Sequence, residues 1–210
     1  MKFGINTFLF ASPFINESVS NFSLFKKLGF EGVEIAYENK GDFDPKMVLH
    51  ALKENGLECC SVCGAYGPGR DLRGDQRAQE TSKQYIKDAI DACCELECDL
   101  FVGPHYSMVG RSQMETAENR TRQWDLVVKN LQEVCQYAEE KGVYIAVEPL
   151  NRFETDFLNL CADAKKLVED VGSPMLKIHL DTFHMNIEEK SPITTILEAG
   201  DLLYHFHASE

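Results

Sequence analysis

The sequence lacks an uninterrupted apolar run of the length that a membrane-spanning helix needs, and it lacks a basic stripe that would offset its acidity. Lys and Arg number 21 against 34 Asp and Glu, which gives a formal net charge of −13. Because this charge repels phosphate groups, we expect neither nucleic acid nor an anionic membrane surface as a partner. A small neutral substrate fits the composition better.

Support is also missing for a disulfide framework, a signal peptide and a second domain. The chain has 8 cysteines, but its 210 residues suffice to bury a core without cross-links, so we interpret them as reduced thiols. The apolar start is interrupted by Asn6 and Thr7 and predicts a first β-strand. No linker or low-complexity tract follows. We therefore expect one cytoplasmic domain over residues 1–210.

Short apolar runs alternate with longer amphipathic segments along the chain, as expected of a parallel sheet whose strands are joined by crossover helices. The predicted strands are Phe3–Phe8, Gly32–Ala36, Glu58–Cys63, Asp99–Gly103, Val143–Glu148, Leu176–Asp181 and Leu203–Ala208. The predicted helices are Val19–Leu28, Pro45–Asn55, Arg77–Glu95, Thr116–Lys141, Cys161–Val171 and a short one near Ile193–Glu198.

Two architectures are compatible with this alternation. A doubly wound sheet is expected to carry a glycine-rich turn directly after its first strand, and Phe8–Pro13 contains no glycine. A (β/α)8 barrel instead carries its functional residues at the carboxyl ends of its strands. Glu148, Asp181 and His207 lie at or near the ends of the last three predicted strands. We therefore expect an α/β fold of the TIM-barrel type, incomplete because seven strands are predicted and an eighth is missing.

These three residues are candidate metal ligands, because the ends of adjacent parallel strands converge on the barrel mouth. Two carboxylates and an imidazole with open coordination positions suit Mn²⁺, Mg²⁺ or Co²⁺. The alternative is structural, with Glu148 and Asp181 as helix caps or loop hydrogen bonders and His207 as a core histidine. We interpret His179 and His205 as packed core histidines; the alternative places them one layer below the ligands as their partners.

Local sequences around these residues resemble a known family. Glu148–Glu154 reads EPLNRFE, Asp181–Glu189 reads DTFHMNIEE, and His205–Glu210 reads HFHASE. In this order and spacing they resemble the ketose 3-epimerases, the D-tagatose/D-psicose 3-epimerase family of the xylose-isomerase-like barrels. The resemblance extends weakly over the whole chain, and Gly103–Arg111 is also similar to the family.

The resemblance implies a role for each matching residue. It implies that Glu148, Asp181 and His207 ligate a divalent metal, most often Mn²⁺, with Co²⁺ or Mg²⁺ as alternatives. Glu148 is then also one of two acid/base carboxylates, and Glu154 and His184 hold the ketose near its C1–C3 oxygens. The implied reaction is epimerisation at C3, in which a proton is removed and returned through a cis-enediolate. The implied assembly is a homo-oligomer.

One part of the family pattern is missing from the seven predicted strands. The second acid/base glutamate, also the fourth metal ligand, lies at the end of the eighth strand in the family, and a substrate-binding arginine follows the seventh strand. We therefore expect the 210-residue chain to bind metal weakly and to epimerise slowly or not at all. The alternatives are an aldose–ketose isomerase, an inosose dehydratase or a hydroxypyruvate isomerase on the same barrel, and a non-catalytic metal- or sugar-binding fragment. The acidic charge argues against a metalloendonuclease.

Overall fold

The computed structural model describes residues 3–113 and 115–209, so the His205–Glu210 motif is described as far as Ser209. Met1, Lys2, Met114 and Glu210 lie outside the described residues. Strands and helices alternate through the described ranges as the sequence predicts. The strands are β1 (Gly4–Asn6), β2 (Gly32–Tyr37), β3 (Glu58–Gly64), β4 (Leu100–Gly103), β5 (Tyr144–Val147), β6 (Leu176–Asp181) and β7 (Leu203–His207). The helices are α1 (Phe22–Lys27), α2 (Pro45–Glu54), α3 (Gln76–Glu95), α4 (Ala117–Lys141), α5 (Cys161–Val171), α6 (Thr182–Glu188) and α7 (Pro192–Ala199).

The described strands form one parallel sheet whose spatial order is the order of the chain, from β1 to β7. This sheet curls strongly. The Glu34 carboxylate on β2 lies 2.7 Å from His207 Nε2 on β7, although the two residues are 173 positions apart. Contact between such distant strands requires the sheet to close around a common interior. The fold is therefore an open barrel of the (β/α)8 type, which confirms the predicted fold class.

The helix ends follow the chemistry of the residues that flank them. Asp44 Oδ1 accepts hydrogen bonds from the backbone N–H groups of Lys46 and Met47, which starts α2. At the other end of α4, Gly142 has a φ of 70°, in the left-handed region that favours glycine. Val143 then leads the chain into β5. None of the helices in the described ranges combines the length and hydropathy needed to cross a bilayer.

The core lies on both sides of the curled sheet. Every residue of β2 is buried, as expected for a parallel strand covered by helices on one face and by the barrel interior on the other. Phe22 and Phe25 of α1 and Val48 and Leu52 of α2 cover the outer face. This packing fixes the strand ends, and with them the side chains at the barrel mouth.

The structure corrects three of the predicted elements. β1 ends at Asn6, because its side-chain oxygen accepts a hydrogen bond from Phe8 N and starts a 3-10 helix over Thr7–Leu9. The first predicted helix is divided into a 3-10 helix over Asn16–Asn21 and the α-helix α1. Helix α6 was not predicted at all, and Asp181 Oδ1 caps it by accepting from Phe183 N at 2.7 Å.

Candidate active site at the carboxyl ends of the strands

Three of the predicted site residues converge at the barrel mouth. Glu148 directly follows β5, while Asp181 and His207 are the last residues of β6 and β7 and pair in the sheet register. Each offers one ligand atom, and the three atoms lie within 4.8 Å of one another. The backbone of Glu148 is fixed on both sides, because its N–H donates to Gly103 O at 3.1 Å and its carbonyl accepts from the Tyr106 hydroxyl at 2.9 Å.

The Glu148 carboxyl group is buried, with 6% of the residue exposed. Imidazole nitrogens of His179 and His184 lie 3.6 and 3.8 Å from its oxygens, too far for a hydrogen bond. Burial raises the pKa of Glu148 to about 8, although the positive charge of His207 lowers it. The carboxyl group therefore favours its protonated form at neutral pH, and a nearby cation would favour the ionised form.

Asp181 uses its two oxygens differently. Oδ1 caps α6 and also accepts a hydrogen bond from Ser209 Oγ at 2.5 Å, while Oδ2 lies 3.5 Å from His207 Nδ1. Burial raises the pKa of Asp181, but hydrogen bonds from His207, Ser209 and Phe183 outweigh it and hold the pKa below the ordinary value. The helix-cap interpretation thus holds for Oδ1, while Oδ2 faces His207 and is the oxygen that remains to ligate a metal.

His207 lies between two carboxylates instead of packing in an apolar core. Its Nε2 is 2.7 Å from Glu34 Oε1, and its Nδ1 faces Asp181 Oδ2. Burial lowers the pKa of His207, yet the hydrogen bonds to Asp181 and Glu34 raise it to about 10. With this pKa the ring is an imidazolium ion at neutral pH, and its positive charge offsets its acidic neighbours.

The donor set of this cluster fits a divalent cation. Two carboxylate oxygens and one imidazole nitrogen match the ligand preference of Mn²⁺, Mg²⁺ and Co²⁺. Glu148 and His207 both favour their protonated forms at neutral pH, so positive charge is favourable at this cluster, and a bound cation would supply it in place of the two protons.

The two predicted substrate-binding residues lie together beside this cluster, joined by Asn151. The Asn151 amide donates to Glu154 Oε1 at 2.8 Å, and the Asn151 backbone N–H donates to His184 Nδ1 at 3.2 Å. Because Nδ1 accepts, His184 carries its hydrogen on Nε2, the atom that lies 3.8 Å from Glu148 Oε1. Burial also lowers the pKa of His184. A neutral hydrogen-bond donor is thus held next to Glu148.

Sequence reasoning missed Glu34, which lies inside the barrel with 2% of its surface exposed. Burial raises the pKa of Glu34, but the hydrogen bonds and charges of His205 and His207 hold it well below the ordinary value. His205 Nε2 contacts Glu34 Oε2 at 2.8 Å, so the interpretation of His205 as a packed core histidine is wrong. The sequence did contain a signal for Glu34, because a charged residue in a strand predicted to be buried needs hydrogen-bonding or ionic partners.

The loops around the site are tied together by a buried arginine. Arg73, in the loop after β3, donates to Ser107 Oγ at 3.0 Å and to Asp156 Oδ1 at 2.5 Å, which joins the loops after β4 and β5. Gly110 N also donates to the carbonyl of Glu154 at 2.7 Å. The family-like Gly103–Arg111 segment thus contacts the loop that carries Glu154, and through Gly103 and Tyr106 it also holds the backbone of Glu148.

Comparisons with known proteins agree with this geometry. A family model described as a xylose isomerase-like TIM barrel matches residues 22–210. The chain is 32% identical over 213 residues to a probable ketose 3-epimerase of Synechocystis sp., covering 99% of this chain and 72% of the relative. It is also 32% identical to a D-psicose 3-epimerase of Enterocloster bolteae, covering 100% of this chain and 71% of the relative. The crystal structure of a D-psicose 3-epimerase from Clostridium cellulolyticum H10 with D-tagatose superposes with a TM-score of 0.88 at 28% identity, covering 100% of this chain and 73% of that one.

Proposed function

The chain belongs to the xylose isomerase-like TIM barrels and, among them, to the ketose 3-epimerase family, and we propose that it epimerises a ketose at C3 with a divalent cation held by Glu148, Asp181 and His207. The observation that carries this proposal is the convergence of their three ligand atoms within 4.8 Å at the ends of successive strands. Mn²⁺ is the expected ion, and ketohexoses of the D-psicose, D-tagatose and D-fructose type are the expected substrates.

Epimerisation at C3 breaks the C3–H bond next to a carbonyl and forms it again on the opposite face. Glu148, Asp181 and His207 would hold a divalent cation, which would supply Lewis-acid polarisation of the ketose oxygens and so acidify the C3 hydrogen. The Glu148 carboxylate accepts the C3 proton while the electron pair moves into the carbonyl group at C2, which gives a cis-enediolate. A proton donor on the opposite face completes the inversion, and Glu148 accounts for one of the two proton transfers.

Glu154 and His184 position the sugar for this transfer. Asn151 fixes both side chains, so their polar atoms are oriented before the ketose arrives. The Nε2–H of His184 is a donor for a sugar oxygen near Glu148, and the Glu154 carboxylate is an acceptor for a sugar hydroxyl. Phe153 and Phe183 are 73% and 41% exposed, and their rings offer apolar faces for the sugar carbon chain.

The proposal is tested by incubating the chain and Mn²⁺ with D-psicose, D-tagatose and D-fructose and separating the sugars by chromatography. We expect slow formation of the C3 epimer, loss of it with EDTA, and loss of it in Glu148→Gln. Glu140→Gln, on the exposed surface of α4, is the matched control and retains the wild-type rate. Formation of an aldose instead of a C3 epimer would replace the proposal with an aldose–ketose isomerase, and unchanged turnover in Glu148→Gln would contradict it.

A further inference from the structure

Each oxygen of the Glu34 carboxylate accepts two hydrogen bonds. One comes from a side chain of a neighbouring strand, and the other comes from an imidazole of β7. Oε1 accepts from Asn6 Nδ2 at 2.5 Å and from His207 Nε2 at 2.7 Å. Oε2 accepts from Ser61 Oγ at 2.6 Å and contacts His205 Nε2 at 2.8 Å. The interior carboxylate of β2 therefore holds two imidazole rings of β7.

This contact determines which nitrogen of His207 is available to a metal. A carboxylate only accepts, so the Nε2 atoms of His205 and His207 both carry their hydrogens. The remaining nitrogen of His207, Nδ1, points toward Asp181 Oδ2 at 3.5 Å. Glu34 thereby directs the ligand nitrogen of His207 toward the two carboxylates of the candidate site.

The same interior contains a second potential ligand cluster that shares His207. His179, His205 and His207 each offer one nitrogen, and these nitrogens lie within 4.8 Å of one another. His179 is fully buried, and neither of its ring nitrogens has a hydrogen-bond partner in the described part of the chain. Three imidazoles form a nitrogen-rich set that suits Zn²⁺, whereas Glu148, Asp181 and His207 form an oxygen-rich set that suits Mn²⁺.

We propose that Glu34 is a positioning residue that selects between these two clusters. By holding the Nε2 hydrogens of His205 and His207, it assigns His207 to the oxygen-rich cluster and keeps the three-histidine cluster unavailable to a metal. This inference rests on the proposed metal site and deepens it, because it makes Glu34 a determinant of metal preference.

The test replaces Glu34 by glutamine in the full chain and measures Mn²⁺ and Zn²⁺ affinities by competitive titration calorimetry. An amide cannot accept from both imidazoles, so we expect the Mn²⁺ affinity of Glu34→Gln to fall about 10- to 100-fold. The ratio of Zn²⁺ to Mn²⁺ affinity should rise by at least the same factor. With Co²⁺ as the probe, the visible absorption bands should intensify and shift as nitrogen ligands replace oxygen ligands.

Three companion variants separate positioning from a merely structural role. In Glu34→Gln combined with His179→Phe, the gain in Zn²⁺ preference should disappear, because one nitrogen of the three-histidine cluster is gone. Ser61→Ala removes a donor to Glu34 but leaves both imidazole contacts, so its metal preference should stay that of the wild type. Glu34→Asp retains an acceptor for the imidazoles, so its Mn²⁺ affinity should lie between those of the wild type and Glu34→Gln. If Glu34→Gln does not fold, the Mn²⁺ and Zn²⁺ affinities of Glu34→Asp are compared with those of the wild type instead.

Two results overturn the inference: an Mn²⁺ affinity of Glu34→Gln within twofold of the wild type, or an equal loss of Mn²⁺ and Zn²⁺ affinity. The metal measurements do not require turnover. If the wild type converts no ketose but its metal preference changes with Glu34, the proposed function fails while the inference holds. If it converts ketose and its metal preference is independent of Glu34, the inference alone fails.

Discussion

Metal binding to this site should release about two protons per ion at pH 7. Glu148 has a pKa of about 8 and His207 a pKa of about 10, so both hold a proton at pH 7 that an incoming cation displaces. The occupancies are about 0.9 and 1.0, which sum to about 1.9 protons. With ordinary pKa values of 4.5 and 6.5, the same two groups would release only about 0.2 protons. The structure thus predicts roughly a tenfold difference from an unperturbed site.

Calorimetry measures this release directly. Mn²⁺ is titrated into the chain at pH 7 in PIPES, HEPES and Tris, and the slope of binding enthalpy against buffer ionisation enthalpy gives the number of protons. We expect a slope near two at pH 7 that falls to about one at pH 9, where Glu148 is already ionised. Glu148→Gln should lower the slope at pH 7 by about one proton, and Glu140→Gln should leave it unchanged. A slope near zero in the wild type would refute the reasoning about burial and charge at this site.

Three further predictions concern stability. The free energy of unfolding of the metal-free chain should fall as the pH rises from about 7 to 10, because the folded Glu148 and His207 retain protons that the unfolded chain has lost; urea titrations between pH 7 and 9.5 measure this, and rising stability over that range would contradict it. Arg73→Ala leaves the Asp156 carboxylate without its buried partner and should lower the free energy of unfolding by about 3–5 kcal/mol in urea denaturation. A loss below about 1 kcal/mol would contradict this prediction. Tyr106→Phe removes the hydroxyl that holds the Glu148 carbonyl and should cost about 0.5–1.5 kcal/mol in the same assay, and equal or greater stability than wild type would speak against that role.

The sequence predicted the parts of the fold and site that depend on local pattern. Short apolar runs separated by amphipathic segments indicated the seven strands, because parallel strands need helical crossovers. Glu148, Asp181 and His207 were predicted to lie close together because they stand at the ends of successive strands, and such ends meet at one edge of the sheet. Neither inference needs any knowledge of which distant residues touch.

Glu34 and Asn151 could not be assigned roles in this way. Glu34 lies in the middle of β2, and its imidazole partners come from β7, which the curvature of the sheet brings close from far along the chain. Asn151 lies within a recognised motif, but its bridging position depends on where α6 places His184. Helix α6 was itself missed, although the Asp181 cap two residues before Phe183 was a usable signal.

Proton exchange at C3 tests the central claim most directly, because the proposed reaction begins with transfer of that proton to Glu148. The Mn²⁺-loaded chain is incubated with D-psicose, D-tagatose and D-fructose in D2O, freed of excess paramagnetic ion, and the sugars are analysed by NMR. We expect deuterium at C3, appearing at least as fast as the epimer and absent in Glu148→Gln. A folded, Mn²⁺-bound chain that leaves C3 unlabelled in all three ketoses would contradict the claim that Glu148 moves the C3 proton.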